Sequence, residues 1–211
     1  MAVLKPLKVV ITNVGDEILT LTSACHPNLP DLGTREIPFT QEIFIDAADF
    51  SEDPPKGFKR LVLGGEVRLR HSYVIRCDEV LKNAAGEVIE LRCSADLNTL
   101  GKNPEGRKVK GVIQWVSASA GVQAEVRLYD RLFTLPNPES GDDLLASLNP
   151  DAFQTLQAWV EPSLASAKPE DHFQFEREGY FVADLVDCVN GKLVFNKTVG
   201  LRDSWGVKGG D

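Results

Sequence analysis

Residues 58–71 read FKRLVLGGEVRLRH, and the fold and the function both turn on how this stretch is read. Two short β-like runs, Arg60–Leu63 and Glu66–Arg70, flank Gly64-Gly65. A glycine pair between two such runs predicts a tight hairpin, because primed turns need φ > 0. In the second run Val67 and Leu69 alternate with Arg68 and Arg70, which predicts a strand with the apolar pair facing a core. Both arginines then share the other face, their Cα atoms about 6.6 Å apart. With Lys56, Lys59 and Arg60 just upstream and Glu66 the one acid, the stretch is strongly positive within a chain of net charge −8. Two explanations stand at this point. A solvated strand face can carry arginines to keep a sheet edge from pairing with a neighbour. Arginine's planar fork is also suited to gripping phosphates or base edges.

The totals bound the rest. A chain of 211 residues holds one large or two small domains and can bury a real core. Its 43% hydrophobic and 26% charged residues fit a globular protein, and no apolar run reaches the ~18 residues of a membrane helix. The opening MAVLKPLKVVITN lacks an apolar signal core, so a cytoplasmic location is expected. Cys25, Cys77, Cys93 and Cys188 are scattered, with no CxxC pair, and read as reduced and mostly buried thiols. At a pI near 5 the chain as a whole should not bind nucleic acid indiscriminately, so any RNA contact must be local.

Read in order, the chain is a succession of short strands and turns. Lys8–Thr12 and Glu17–Thr22 predict an opening hairpin around residues 13–16. Residues 24–33, ACHPNLPDLG, form a shaped loop in which His26, with no second histidine or cysteine nearby, is a weak ligand or base candidate. Further strands are predicted at Arg35–Ile37, Glu42–Asp46, Tyr73–Leu81, Val88–Ala95, Gly111–Ser117 and Glu125–Asp130. Residues 102–110, KNPEGRKVK, make a basic loop. Past Arg131, Asp142–Leu148 is the best short-helix candidate, although its apolar pairs also fit a buried turn. Strands at Phe153–Val160, Phe173–Phe175, Gly179–Leu185 and Leu193–Val199 follow, with Asn190-Gly191 a strong turn signal. The tail, 200–211, contains Arg202, Asp203 and Trp205. Many short strands and almost no helix predict an all-β chain of barrels or sandwiches.

No self-sufficient active site emerges. G-x-S-x-G, a P-loop and H-E-x-x-H are all missing from the sequence, and acid pairs such as Glu176 with Glu178 read as solvated surface. A binding module is the better reading. Arginine can donate two hydrogen bonds to guanine, and glutamine can both donate to and accept from a base edge. Gln174 and Arg177, among the aromatics of FQFEREGY (residues 173–180), fit such a role, as they fit a plain strand with polar residues facing out.

Six segments carry a resemblance: HPNLPDLGTREIPFTQEIFIDAADF, KRLVLGGEVRLRHSYVIR, GRKVKGVIQWVSA, VRLYDRLF, FQFEREGYF and VFNKTVGLRDSW. In this order they resemble the C-terminal anticodon-binding region of the glutaminyl-tRNA synthetase family, over nearly the whole chain. That family is of class I and joins glutamine to tRNA(Gln) with ATP and Mg²⁺, in a catalytic domain upstream of this region. Its nucleotide-binding motifs do not occur in these residues. The resemblance implies no cofactor and no catalytic residue in the chain itself, ATP and Mg²⁺ belonging to the upstream domain of the same polypeptide. It also implies a monomer.

The implied fold is two six-stranded β-barrels, of the type found in a ribosomal-RNA-binding ribosomal protein. The proximal barrel would hold residues 1–51 with 131–211, and the distal barrel 52–130. The partner implied is the splayed anticodon loop of tRNA(Gln). Carried over position by position, Lys59, Arg60, Arg68 and Arg70 match anticodon contacts from the distal barrel, and Asn28, Gln174 and Arg177 match contacts from the proximal one. Gly57 departs from the family, which can have glutamine there. Three other readings stand beside this one: a ribosomal-RNA-binding protein of the same barrel type, an archaeal or eukaryotic-type glutamyl-tRNA synthetase module, and a free-standing all-β enzyme.

Pattern and resemblance disagree over Gln174 and Arg177. Residues three apart in a regular strand face opposite ways, yet the resemblance has both reaching the anticodon. An irregularity between Phe175 and Gly179 is therefore predicted, with a plain strand and an Arg177–Glu161 ion pair as the alternative.

Overall fold

The computed structural model describes residues 1–140 and 143–201. Among these residues the chain is all-β: fifteen strands joined by turns and short 3₁₀ segments, with no α-helix. It divides into two compact units, residues 1–123 with 158–166, and residues 124–157 with 167–211.

In the first unit, β1 (Ala2–Val3) is a short edge strand and β2 (Pro6–Ile11) alternates exposed or half-buried with buried residues. β3 (Leu19–Ala24) and β4 (Thr34–Phe39) pair with one another as an antiparallel ribbon. The opening hairpin expected between residues 8–12 and 17–22 does not form. β2 instead lies between β5 (Glu42–Asp46), antiparallel, and β8 (Val88–Asp96), parallel. Its alternating apolar residues need two sheet neighbours and a core, which a hairpin partner alone would not supply.

β6 (Glu66–Leu69) pairs antiparallel with β7 (Val74–Lys82), and β7 with β8, the expected hairpin around residues 83–87. There Gly86 adopts φ 81°, and Asn83 Oδ1 accepts the amide hydrogens of Ala85 and Glu87. The strand expected at Gly111–Ser117 is split at Gln114 into β9 (Val112–Ile113) and β10 (Trp115–Ser117).

The sheet order is β10-β5-β2-β8-β7-β6-β9. Its first and last strands are thus neighbours in sequence, and the sheet curls into a nearly closed seven-stranded barrel. Seven strands stand here where six were expected. Val67 and Leu69 point inward with Leu7, Val9, Ile11, Ile43, Ile45, Leu91, Cys93, Ile113 and Trp115, all in one core cluster. The inward half of the alternation read in residues 66–69 is therefore present.

The Gly64-Gly65 hairpin is not. Gly65 N–H donates to Val62 O (2.9 Å), and Gly64 has φ 72°, so residues 62–65 do form a tight turn. What leaves the turn does not run back along the incoming chain. Leu61 bridges Phe50 and Leu63 bridges Cys77, both parallel, while β6 turns through residues 70–73 to find β7. A positive-φ glycine fixes the turn and leaves the choice of partner to the core.

The second unit contains β11 (Val122–Tyr129) from Ala124 onward, the first five residues of β12 (Phe153–Val160), β13 (His172–Phe175), β14 (Gly179–Ala183) and β15 (Val194–Val199). Its order is β12-β11-β15-β14-β13, a half-barrel. Phe173, Phe175, Phe181 and Phe195 form its aromatic core, with Phe175 stacked on Phe181 at 4.3 Å. Asn190 and Gly191 both have φ > 0, as the predicted turn requires. Arg127 is gripped by Glu125 (2.8 Å), Asp184 (3.2 Å) and Asp187 (2.5 Å). The Asn196 amide and the amide hydrogens of Asp187 and Val186 hold Asp184 ionised, down to a pKa of about 2.

One sequence expectation ends differently in this unit. The helix predicted over 142–148 is a single 3₁₀ turn, Leu145–Ser147, with Asp143 Oδ1 accepting the Leu145 amide hydrogen at 2.9 Å. Residue 142 itself, and the tail residues Arg202, Asp203 and Trp205, lie outside the described residues. The grouping into units also differs in its boundaries from the division into 1–51 with 131–211 and 52–130, since β2, β5 and β6–β10 share one sheet. Cys77, Cys93 and Cys188 are buried and unbridged, whereas Cys25 is exposed.

Candidate nucleic-acid interface

Five of the seven expected contact residues lie in the first unit. Arg68 occupies the outward face of β6, but its guanidinium is not presented to solvent as a free fork. Nη1 donates to Ser72 O (2.9 Å) and Thr99 O (3.0 Å), and Nη2 to Lys102 O (2.5 Å). The side chain ties the turn after β6 to the loop after β8. Arg60 is likewise committed, with Nε 3.2 Å from the buried Asp49 carboxylate and Nη1 donating to Ala48 O at 2.9 Å. Each arginine thus carries a structural task that strand periodicity could not reveal.

Arg70 lies one residue past the end of β6, at the start of the turn, and continues its ladder onto β9. Its backbone is fixed on both sides: Arg70 N–H donates to Ile113 O (2.9 Å), and Arg70 O accepts from Trp115 Nε1 (2.9 Å). His71 follows at φ 60°, with Nε2 3.3 Å from Ser23 Oγ. Burial, then the Arg70 and Arg35 charges, lowers the His71 pKa, so at neutral pH it adds no charge beside Arg70.

Lys59 is exposed, and its backbone is packed against Gly111. A Cβ on Gly111 would sit 1.9 Å from Lys59 O and 2.8 Å from Val67 Cγ2. Gly111 O in turn accepts the Arg68 amide hydrogen (3.0 Å). Lys59, Arg68 and the end of the basic loop are therefore brought together by backbone contacts. Asn28 is exposed in the loop between β3 and β4, where its amide hydrogen is donated to His26 Nδ1 at 3.1 Å. That bond gives His26 a loop-shaping part. Among the described residues no group of three or more His, Cys, Asp or Glu is placed to hold a metal.

Gln174 and Arg177 lie in the second unit. Gln174 is exposed on β13. The strand ends at Phe175, Glu178 N–H closes a turn onto Phe175 O (3.0 Å), and Arg177 sits at the turn's centre with φ 68°. This is the irregularity expected between Phe175 and Gly179, and it frees the two residues from opposite faces of one strand. The carboxylate offered as Arg177's alternative partner, Glu161, is taken by Arg35 Nε at 2.7 Å.

Sequence reading noted the basic loop 102–110 without making it part of the site. Arg107 in that loop is bound by Glu66 (2.9 Å) and Asp96 (2.6 Å), whose carboxylates hold it charged. Lys102, Lys108 and Lys110 are exposed, with no ion-pair or hydrogen-bond partner for their ammonium groups among the described residues.

With this geometry in place, comparison with known proteins is decisive. Residues 1–96 and 112–184 each match a family profile described as tRNA synthetases class I (E and Q), anti-codon binding domain. The chain belongs to this family. Glutamine--tRNA ligase of Ectopseudomonas mendocina is 63% identical over 211 residues, which covers 98% of this chain and 38% of that protein. The ligases of Pseudomonas aeruginosa and Azotobacter vinelandii are 61% and 59% identical, each with the same coverage. The chain therefore spans less than two-fifths of the length of these relatives. As a class I (E and Q) anticodon-binding region it has the expected all-β architecture.

Proposed function

We propose that the chain grips the anticodon loop of tRNA(Gln) as the non-catalytic portion of a cytoplasmic, monomeric glutamine–tRNA ligase. The observation that carries this is the paired match to anticodon-binding profiles over residues 1–96 and 112–184, together with a cationic cluster on a chain of net charge −8. ATP and Mg²⁺ chemistry belongs, in this reading, to the remaining length of the polypeptide. The described residues contain no helix long and apolar enough to cross a membrane.

The resemblance supplies the residue roles: in this reading Asn28, Arg70, Gln174 and Arg177 meet splayed bases, and Lys59 supplies charge. Arg60 and Arg68, whose donors are largely spent on Asp49 and on backbone carbonyls, shape the surface and present only their remaining N–H groups to RNA.

Competition between intact tRNA(Gln) and tRNA(Glu) for this chain tests the proposal. We expect tRNA(Gln) to bind at least about tenfold more tightly, since losing even one good base-edge contact costs about 1–3 kcal/mol. Equal binding of the two would remove the glutamine assignment.

A further inference from the structure

Arg68 is the hub of a group of lysines that no base-reading role explains. Its Nη2 holds Lys102 O, its amide hydrogen is held by Gly111 O next to Lys110, and Gly111 packs on Lys59 O. Segments far apart in sequence thus meet around Arg68: its side chain holds residue 102, and its backbone amide, through Gly111, brings residues 59 and 110 alongside. All three lysines are exposed, and none has an ion-pair partner among the described residues. The nearby acids Glu66 and Asp96 both pair with Arg107, although Asp96 also lies within the field of Lys102. Within residues 101–110 only Glu105 opposes Lys102, Lys108 and Lys110. Lys102 also lines a polar cleft in which Asp96 and Glu105 stand beside Lys102 and Arg107.

Clustering unpaired ammonium groups costs self-repulsion, which a polyanion relieves. Lysine offers a compact point charge and no fork matched to a base edge, so such a cluster suits phosphates. We infer that Lys102 and Lys110, flanking Lys59 around the Arg68 hub, grip consecutive phosphates of a single-stranded RNA segment. The inference rests on the tRNA-binding reading and extends it: these two lysines supply affinity without sequence preference, and the Arg68 side chain is the positioning group that holds the Lys102 segment.

Counterion release gives the test. Each neutralised phosphate of a single strand contributes about 0.7 to the slope of log affinity against log salt. The variant Lys102→Gln/Lys110→Gln should therefore lower the slope for a tRNA(Gln) anticodon stem-loop by about 1.4, and weaken binding roughly 20-fold at 0.1 M salt. The same loss should appear on a stem-loop with altered anticodon bases, because phosphates carry no sequence. Lys102→Arg/Lys110→Arg should keep the wild-type slope, and thermal melts of both variants establish that the fold is intact. Wild-type slope and affinity in the glutamine variant would overturn the phosphate grip while leaving the anticodon reading standing. A loss confined to the cognate anticodon would overturn it too, in favour of base contact. If the wild-type chain bound no stem-loop, the tRNA reading itself would fall and take this inference with it.

Discussion

Trp115→Ala is expected to lower the stability of the first unit by about 3–5 kcal/mol, the range for emptying a buried aromatic site. Trp115 is fully buried on β10, edge-on to Phe39 at 5.3 Å, and its strand, at one end of the sheet order, follows in sequence on β9 at the other end. Truncation opens a cavity at that closure, and it also leaves Arg70 O without the indole N–H that fixes it at 2.9 Å. The melting temperature should fall by about 2–4 °C for each kcal/mol. Trp115→Phe isolates the second effect: most of the packing survives, and losing the hydrogen bond should cost about 1 kcal/mol. Denaturant titrations of both variants check this. A loss below about 1 kcal/mol for the alanine variant would mean that the barrel does not close around this ring.

Gly111→Ala should cost about 2–3 kcal/mol, which is large for adding one methyl group. The new Cβ would meet Lys59 O at 1.9 Å and Val67 Cγ2 at 2.8 Å, and neither neighbour can step aside cheaply. Lys59 precedes Arg60, which is tethered to Asp49, and Val67 is fully buried on β6. Gly111 cannot retreat either, because its carbonyl accepts the Arg68 amide hydrogen. Gly15→Ala is the matched control: nothing lies within 4 Å of its Cβ position and it has no positive φ. Its effect should stay within about 0.5 kcal/mol. Equal melting temperatures for the two variants would show that residues 59 and 111 are not in contact.

These two residues also show what the sequence could and could not convey. Local rules worked where the answer was local. The period of two in residues 66–69 placed Val67 and Leu69 in the core, and the β7–β8 hairpin followed from its Asn83–Gly86 turn. Asn190-Gly191 has the two positive φ angles that its residue types demand. Where partners are distant, pattern was silent. β2 looked ready to fold back on residues 17–22, but its neighbours lie at 42–46 and 88–96. The acids near 142–148 signalled a helix start, yet Asp143 uses the same capping chemistry to close a 3₁₀ turn.

The proposed contact residues divide in the same way. Their charge and their strand face were legible, and the resemblance supplied their roles. That Arg68 bends onto carbonyls 4, 31 and 34 residues away was not legible, because side-chain direction depends on the loops a barrel happens to gather. Gln174 and Arg177 are the converse case. There the conflict between strand geometry and resemblance marks the residues at which the strand ends and the chain turns.

The most direct measurement of the central claim is an equilibrium titration of the 211-residue chain with the tRNA(Gln) anticodon stem-loop, beside stem-loops altered at single anticodon bases, all at one salt concentration. Base reading predicts saturable binding to the cognate loop and a loss of about 1–3 kcal/mol, or roughly five- to hundredfold, at each base that is read. The same affinity for every loop, cognate or altered, would contradict it and leave only a charge-driven grip on RNA.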